Sequence, residues 1–223
     1  MTLRHEPFTP ADRRVRILSQ RKSHDPLAPA GRIAKSHFAD PMIMSIQSPQ
    51  IELESPGDDA DIEALHETAF GPGRFARTAF RLREGVPHDP ALSFVVRRDG
   101  GLVGSVRLTP IDIGGVSGLL LGPLAVLPAF KNNGIGKALV RHSVAAARAG
   151  MAASGHRLVL LVGDEPYYGP LGFKRARPGA LTLPGPVDPY RLLLAELQEG
   201  AADAAHGAVT SGRVLAGAAA VEG

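Results

Sequence analysis

The chain has 223 residues, 44% of them hydrophobic, enough for one well-buried domain of roughly 150 residues with extensions. It has no cysteine, which excludes disulfides, a thiol nucleophile and a cysteine-based metal site, and no metal is expected. The formal charge of +3 does not describe a basic surface: residues 1–44 carry a balance of +4 and the remainder −1, and three Tyr with no Trp offer bases little to stack on, so a nucleic-acid role is disfavoured.

From Met1 to about Pro49 the sequence is rich in Arg, Pro, Ser and His without sustained period. Such a segment cannot bury enough to offset its ordering entropy, and residues 1–49 are expected to be a disordered basic extension. It lacks the apolar core of a secretory signal; Met42 and Met44 are alternative starts just before the first strand. No apolar run is long enough to span a bilayer, so a soluble, cytoplasmic protein is expected.

Ile51-Glu52-Leu53-Glu54 alternates as a half-buried strand, and Asp58 to Asp61 supply the cap and first-turn acids of a helix through Ile62, Leu65, His66 and Ala69. Gly71-Pro72-Gly73 ends it, and a second helix is predicted over Arg74 to Glu84. Its Arg74, Arg77, Arg81 and Arg83 read as a solvated face, with contact to an anionic or other acceptor as the alternative. Runs at Leu92–Val96 and Leu102–Leu108 flank Asp99-Gly100, a hairpin signal, and a further strand follows the turn at Gly114-Gly115. Asp112 alternates with Ile111 and Ile113 and should point away from the core.

The apolar run Leu119 to Leu127 leads into Lys131-Asn132-Asn133-Gly134-Ile135-Gly136, and an Ala-rich amphipathic segment follows, giving strand, glycine loop and helix. Free N–H groups and the positive end of a helix dipole suit a phosphate there, although two glycines in a tight strand-to-helix turn read the same way without a ligand. A P-loop is excluded because Gly136-Lys137 is followed by Ala138 and the earlier glycine position holds Lys131; the dinucleotide fingerprint fails at Leu139. In the strand, Gly122-Pro123 marks a bulge or bend. The helix is expected to bury Ile135, Ala138, Leu139, His142, Ala145, Ala146 and Ala149, with His142 a packed core or boundary residue.

A second motif follows the strand-like Leu158–Val162: Tyr167-Tyr168-Gly169-Pro170-Leu171-Gly172-Phe173. Together with the loop it resembles the GCN5-related N-acetyltransferase superfamily over about Ile51 to Leu197. That resemblance implies an α/β (α+β mixed sheet) acyl-CoA N-acyltransferase fold, with a mostly antiparallel sheet splayed between its fourth and fifth strands and flanked by helices. The catalytic domain is then 50–198, and the Ala/Gly-rich 199–223 is expected to be a flexible tail.

The resemblance further implies acetyl-CoA as co-substrate and transfer to an amine without a covalent enzyme intermediate. The backbone of Leu124, Ala125, Val126 and Leu127 would meet the pantetheine arm. Lys131, Asn132, Asn133, Gly134, Ile135, Gly136 and Lys137 would meet the pyrophosphate, with Lys131 standing where the family usually has Gln or Arg. Tyr168, four residues before Gly172, matches the family's general acid; a buried tyrosine supporting the Gly-Phe turn is the alternative, and Tyr167 reads as a packing aromatic. No acid lies on the fourth strand, where many relatives carry their base. Asp164, Glu165, Asp112, His66 and His88 stay open and none is assigned. A binding module or sensor that recognises acyl-CoA without turnover is the alternative to an enzyme. The partners expected are acetyl-CoA and an amine, with the chain a monomer or homodimer.

Overall fold

The computed structural model describes residues 49–73 and 78–212. The basic extension, Arg74 to Arg77 of the second predicted helix and the end of the tail lie outside them. Among the described residues the strands are β1 (Ile51–Leu53), β2 (Phe94–Arg98), β3 (Gly101–Ile113), β4 (Val116–Val126), β5 (Leu158–Val162), β6 (Lys174–Arg175), β7 (Leu181–Thr182), β8 (Leu192–Glu196) and β9 (Gly207–Ser211). The helices are α1 (Asp59–Phe70), α2 (Thr78–Arg81), α3 (Ile135–Ala149), α4 (Met151–Ser154), α5 (Glu165–Tyr168) and α6 (Ala201–Ala204).

The Asp99-Gly100 turn takes φ of 50° and 78°, as a tight two-residue hairpin requires, and joins β2 to β3. An antiparallel meander β1-β2-β3-β4 results, and the sheet continues β5-β8-β6. β4 and β5 run parallel and pair only over Gly118–Leu120 against Leu158–Leu160. Beyond Leu120 the two strands part, so the sheet is mixed, mostly antiparallel and splayed where the family resemblance places the gap.

Each face of the sheet is covered. On one, Leu119, Leu121, Val159 and Leu161 pack under Ile135, Leu139, Val140 and Val144 of α3. On the other, Ile62 and Leu65 of α1 cover Val95 and Ala125, while Leu120, Leu158 and Leu160 pack with Ala201 of α6. Opposite-face packing of Leu119 and Leu120 is the strand's own alternation.

The buried stripe of α3 differs from the expected one. Val140, Ser143, Val144 and Ala147 are buried, whereas His142, Ala145 and Ala149 are exposed. Valines bring more apolar surface than alanines and so set the rotation of the helix, and Ser143 is accommodated because its hydroxyl donates to the Val140 carbonyl at 3.1 Å. His142 instead meets Phe94 edge-on, 4.5 Å between ring centroids.

The tail is also corrected. Residues 201–211 form α6 and β9, and β9 pairs with the end of β3 through Ile111, Asp112 and Ile113 and with β7. Three small side chains, Ala201, Ala205 and Val209, are buried there. Backbone pairing to an open stretch of β3 supplies what the side chains lack in bulk.

Candidate active site

α3 opens at Ile135 after Gly134, which takes a left-handed φ of 77°. Ala138 donates the first helical N–H, to the Gly134 carbonyl, so the N–H groups of Ile135, Gly136 and Lys137 have no acceptor within the helix. A cavity of about 530 Å³ opens in front of them. Lys131, Asn132, Gly134, Ile135, Gly136 and Lys137 form its loop wall, and Leu124, Ala125 and Val126 its strand wall. Asn133 and Leu127 are not part of that lining.

The strand wall has its own logic. β4 pairs Leu121 with Leu108 and Leu124 with Val106, so Gly122 and Pro123 together face the single residue Arg107. This is the expected bulge, and the extra residue keeps Leu121 and Leu124 on one face of the sheet. Past it, Leu127 gives its N–H to the Val103 carbonyl at 2.9 Å. Bonded and non-bonded pairs alternate along an antiparallel ladder. Ala125 and Leu127 therefore spend their backbone groups on β3, and only Leu124 and Val126 present theirs to the gap beside β5. The expectation that all four are free is corrected to two.

The two tyrosines separate across the gap. Tyr168 lies over Gly163, where any Cβ would run into its ring, and against Phe173, 5.9 Å away. Burial pushes its phenol up to about 12, with Tyr167 and Asp164 adding to the effect, so it keeps its proton throughout the neutral range. Tyr167 was read as a packing aromatic, yet it is 37% exposed and lines the loop cavity. Its hydroxyl rests on Gly136, 2.6 Å from where a Cβ would stand, and Lys137 Nζ lies 5.7 Å from its ring centroid.

A second cavity, about 840 Å³, lies on the other side, with Tyr168, Gly122, Pro123 and Leu161 to Asp164 in its walls. Leu124 and Phe70 line both cavities, which makes them the junction. A further wall is α2 with Arg83, fastened to the loop before β8: Thr78 Oγ1 donates to the Pro186 carbonyl and Arg81 to that of Pro184 at 3.2 Å.

Of the open base positions, His66, His88 and Asp164 line this cavity. Asp112 instead accepts from Gly115 N–H in the β3–β4 turn, and Glu165 pairs with Arg175 at 2.6 Å, so neither reaches it. His66 Nε2 lies 3.3 Å from Ser105 Oγ, and His88 Nε2 lies 3.1 Å from Glu54.

The chain is similar in sequence and fold to known proteins. The acetyltransferase (GNAT) domain family matches residues 89–175, from before β2 to β6. The uncharacterized N-acetyltransferase YjhQ of Escherichia coli is 28% identical over 135 residues, covering 59% of this chain and 72% of YjhQ. The GNAT family N-acetyltransferase YhbS of Escherichia coli, solved in complex with CoA, is 25% identical, covers 73% of this chain and 89% of its own, and superposes with a TM-score of 0.62. The chain belongs to the GCN5-related N-acetyltransferase superfamily. A GNAT acetyltransferase from Brucella melitensis, solved with acetyl-CoA, is 31% identical over 66% of this chain and 94% of its own, with a TM-score of 0.46.

Within this GNAT domain, two features escaped the sequence and a third departs from its first reading. Glu54 was read as the polar partner in a strand alternation, but its side chain is 5% exposed and takes three hydrogen bonds of 2.6 to 3.0 Å from Arg107. Only the register of β1 against β2, and of β2 against β3, reveals that. Glu63 lines the second cavity because the turn of α1 puts it one residue-triplet before His66. Arg83, read with its neighbours as a solvated face with acceptor contact as the alternative, is half-buried and packs against the bulge.

Proposed function

We propose that this protein is an N-acetyltransferase that moves the acetyl group of acetyl-CoA to a primary amine of a small molecule or protein by direct attack. The observation that carries this reading is the meeting of two cavities at Leu124 and Phe70, on the parted edge of β4. One cavity offers a helix N-terminus with unpaired N–H groups flanked by Lys131 and Lys137; those donors fit a pyrophosphate. Leu124 and Val126 offer the free strand edge that an amide-bearing arm can pair with.

When bound, acetyl-CoA supplies an acyl group already activated as a thioester. The Leu124 N–H is the donor at the junction and would polarise the acyl oxygen. Leu124 and Phe70 bring the amine from the second cavity onto the acyl carbon; a C–N bond forms as the C–S bond breaks. Tyr168, protonated at neutral pH, hands its proton to the departing sulfur. The amine's proton leaves into the second cavity, whose titratable walls include His66, His88 and Asp164. With no cysteine in the chain, an acyl-cysteine cannot form.

The test is calorimetric and thermal-shift titration with acetyl-CoA of wild type, Gly134→Glu and Tyr168→Phe, followed by thiol release over a panel of amines. Binding lost in Gly134→Glu and kept in Tyr168→Phe, with turnover on at least one amine, is expected. Binding without turnover on any amine would replace the enzyme by an acyl-CoA sensor. No binding to folded wild type would remove acetyl-CoA from the account.

A further inference from the structure

The second cavity contains a positive charge that has no partner among the described residues. Arg83 Nε is sealed from solvent and has no hydrogen-bond partner, and among the described residues its guanidinium forms no ion pair. The other arginines of the cavity are neutralised: Arg107 by Glu54 and Asp59 at 2.6 and 2.7 Å, Arg191 by Asp164 at 3.1 Å. Burial lowers the Arg83 pKa to about 10, which still leaves it cationic at neutral pH. An unpaired charge withdrawn from water is a strong liability to a fold unless something else uses it.

The surroundings hold that guanidinium in place. Arg83 Nη2 sits against Gly122, 2.8 Å from where a Cβ would stand, and Gly122 has a φ of 127° that disfavours any side chain. The bulge therefore does two things: it parts β4 from β5, and it makes a seat for Arg83 in the cavity wall. The backbone nitrogen of Leu124, at the junction, lies 3.7 Å from that same Cβ position, so the Arg83 guanidinium and the Leu124 N–H stand no more than about 6–7 Å apart, two residues of strand. An anion on Arg83 and an amine beside Leu124 would thus belong to one small molecule whose two groups are separated by only one or two carbons.

We propose that Arg83 receives the carboxylate of the acceptor, so that the amine acetylated is that of a small amino acid. This rests on the acetyltransferase reading of the site and narrows its acceptor from any primary amine to one class. A carboxylate matches the planar fork of a guanidinium and cancels its single charge. A phosphate monoester carries close to two negative charges at neutral pH and would leave an excess in a cavity already lined by Glu63, Asp164 and Asp188. A lysine of a protein substrate brings no carboxylate within that reach.

The experiment uses the full chain and ligand-observed saturation-transfer NMR, with and without coenzyme A. The probes are the standard L-amino acids and β-alanine, their carboxamides, and phosphoethanolamine. Wild type is compared with Arg83→Gln, Arg83→Lys and Arg83→Met, and acetyl-CoA affinity is measured in parallel by calorimetry. At least one amino acid should bind, with its carboxamide weaker by roughly 30-fold or more. Arg83→Gln should lose that discrimination, Arg83→Lys should keep part of it, and acetyl-CoA affinity should not change. Arg83→Met should raise the melting temperature, because it removes an unpaired buried charge, whereas an arginine serving only the fold would lower it. Equal binding of acids and amides, preference for phosphoethanolamine, no acid bound, or an unchanged acid affinity in Arg83→Gln would each overturn the proposal. Failure of wild type to bind acetyl-CoA would overturn the acetyltransferase reading alone, since the acid titrations without coenzyme A do not depend on it.

Discussion

Tyr167 and Tyr168 are neighbours in sequence and line different cavities, because successive residues of a helical turn point about 100° apart. Tyr168 is the one held in a poorly solvated place, and its raised pKa has two measurable consequences. As a donor it loses nothing between pH 6 and 9, so the pH profile of turnover in that range reports other groups. As a contributor to stability, a phenol whose folded pKa exceeds its unfolded value of about 10 adds stability that is complete below pH 10 and is lost as pH rises toward 12. Tyr168→Phe should therefore lower the rate of thiol release by roughly 100-fold, the lower end for a general acid because a thiolate already leaves well. It should leave acetyl-CoA affinity intact, flatten the alkaline limb of the unfolding curve between pH 10 and 12, and remove the last tyrosinate to appear in a near-ultraviolet titration. An unchanged rate would reduce Tyr168 to a packing residue over Gly163. The spacing to Gly172 and Phe173 identified this tyrosine in the sequence. That spacing was silent on Tyr167, whose place against Gly136 depends on how α5 and α3 approach each other.

Between elements, the wall of the second cavity is held by one carboxylate. Glu54, at the end of β1, receives Arg107 from β3 and lies beside His88 of the loop before β2, while Arg107 also reaches Asp59 of α1. Burial works to raise the Glu54 pKa, and the hydrogen bonds and charges of His88 and Arg107 overcome it, leaving the carboxyl below its ordinary value. A depressed carboxyl contributes stability above its unfolded pKa of about 4.5 that is lost as pH falls further. Glu54→Gln should cost about 3 kcal/mol, since it breaks a buried pair while Asp59 still holds Arg107, and should shallow the acid limb below pH 4.5 in a denaturant titration repeated across pH. A loss under 1 kcal/mol would make the network a surface pair. Arg107 takes part because it is the one residue opposite Gly122 and Pro123, so the bulge organises this wall as well as the gap. The bulge was legible, since proline cannot serve a ladder. The partners it lines up were not, because they come from β1, the loop before β2 and α1, and no local pattern records that register.

Over the whole domain, the strands from β1 to β5 and the helix between β4 and β5 were legible from strand alternation, the Asp99-Gly100 turn and the glycine loop, and the failure came at the end. Residues 201–211 carry alanines and one valine, too little apolar bulk to announce a strand, yet β9 completes the sheet beside the upper half of β3, which β2 leaves uncovered. What makes it structural is pairing, and pairing depends on a partner that is about a hundred residues away in sequence. Ser211 Oγ then donates to the Leu82 carbonyl at 3.0 Å, tying β9 to the segment that carries Arg83. Ending the chain after Glu199 should remove the burial of Val209, Ala201 and Ala205, worth about 3–5 kcal/mol at the usual value per buried group. At 2–4 °C per kcal/mol for a domain of this size, the melting temperature should fall on the order of 10 °C. The damage should be uneven. The loop cavity is built by α3 and the far half of β4, which β9 does not touch, so acetyl-CoA affinity measured below the new transition should stay near wild type. The wall that presents Arg83 loses its tie, so the acceptor KM should rise by more than kcat falls. Equal loss of affinity for both substrates would show instead that the two cavities are held as one unit and that β9 stabilises them together.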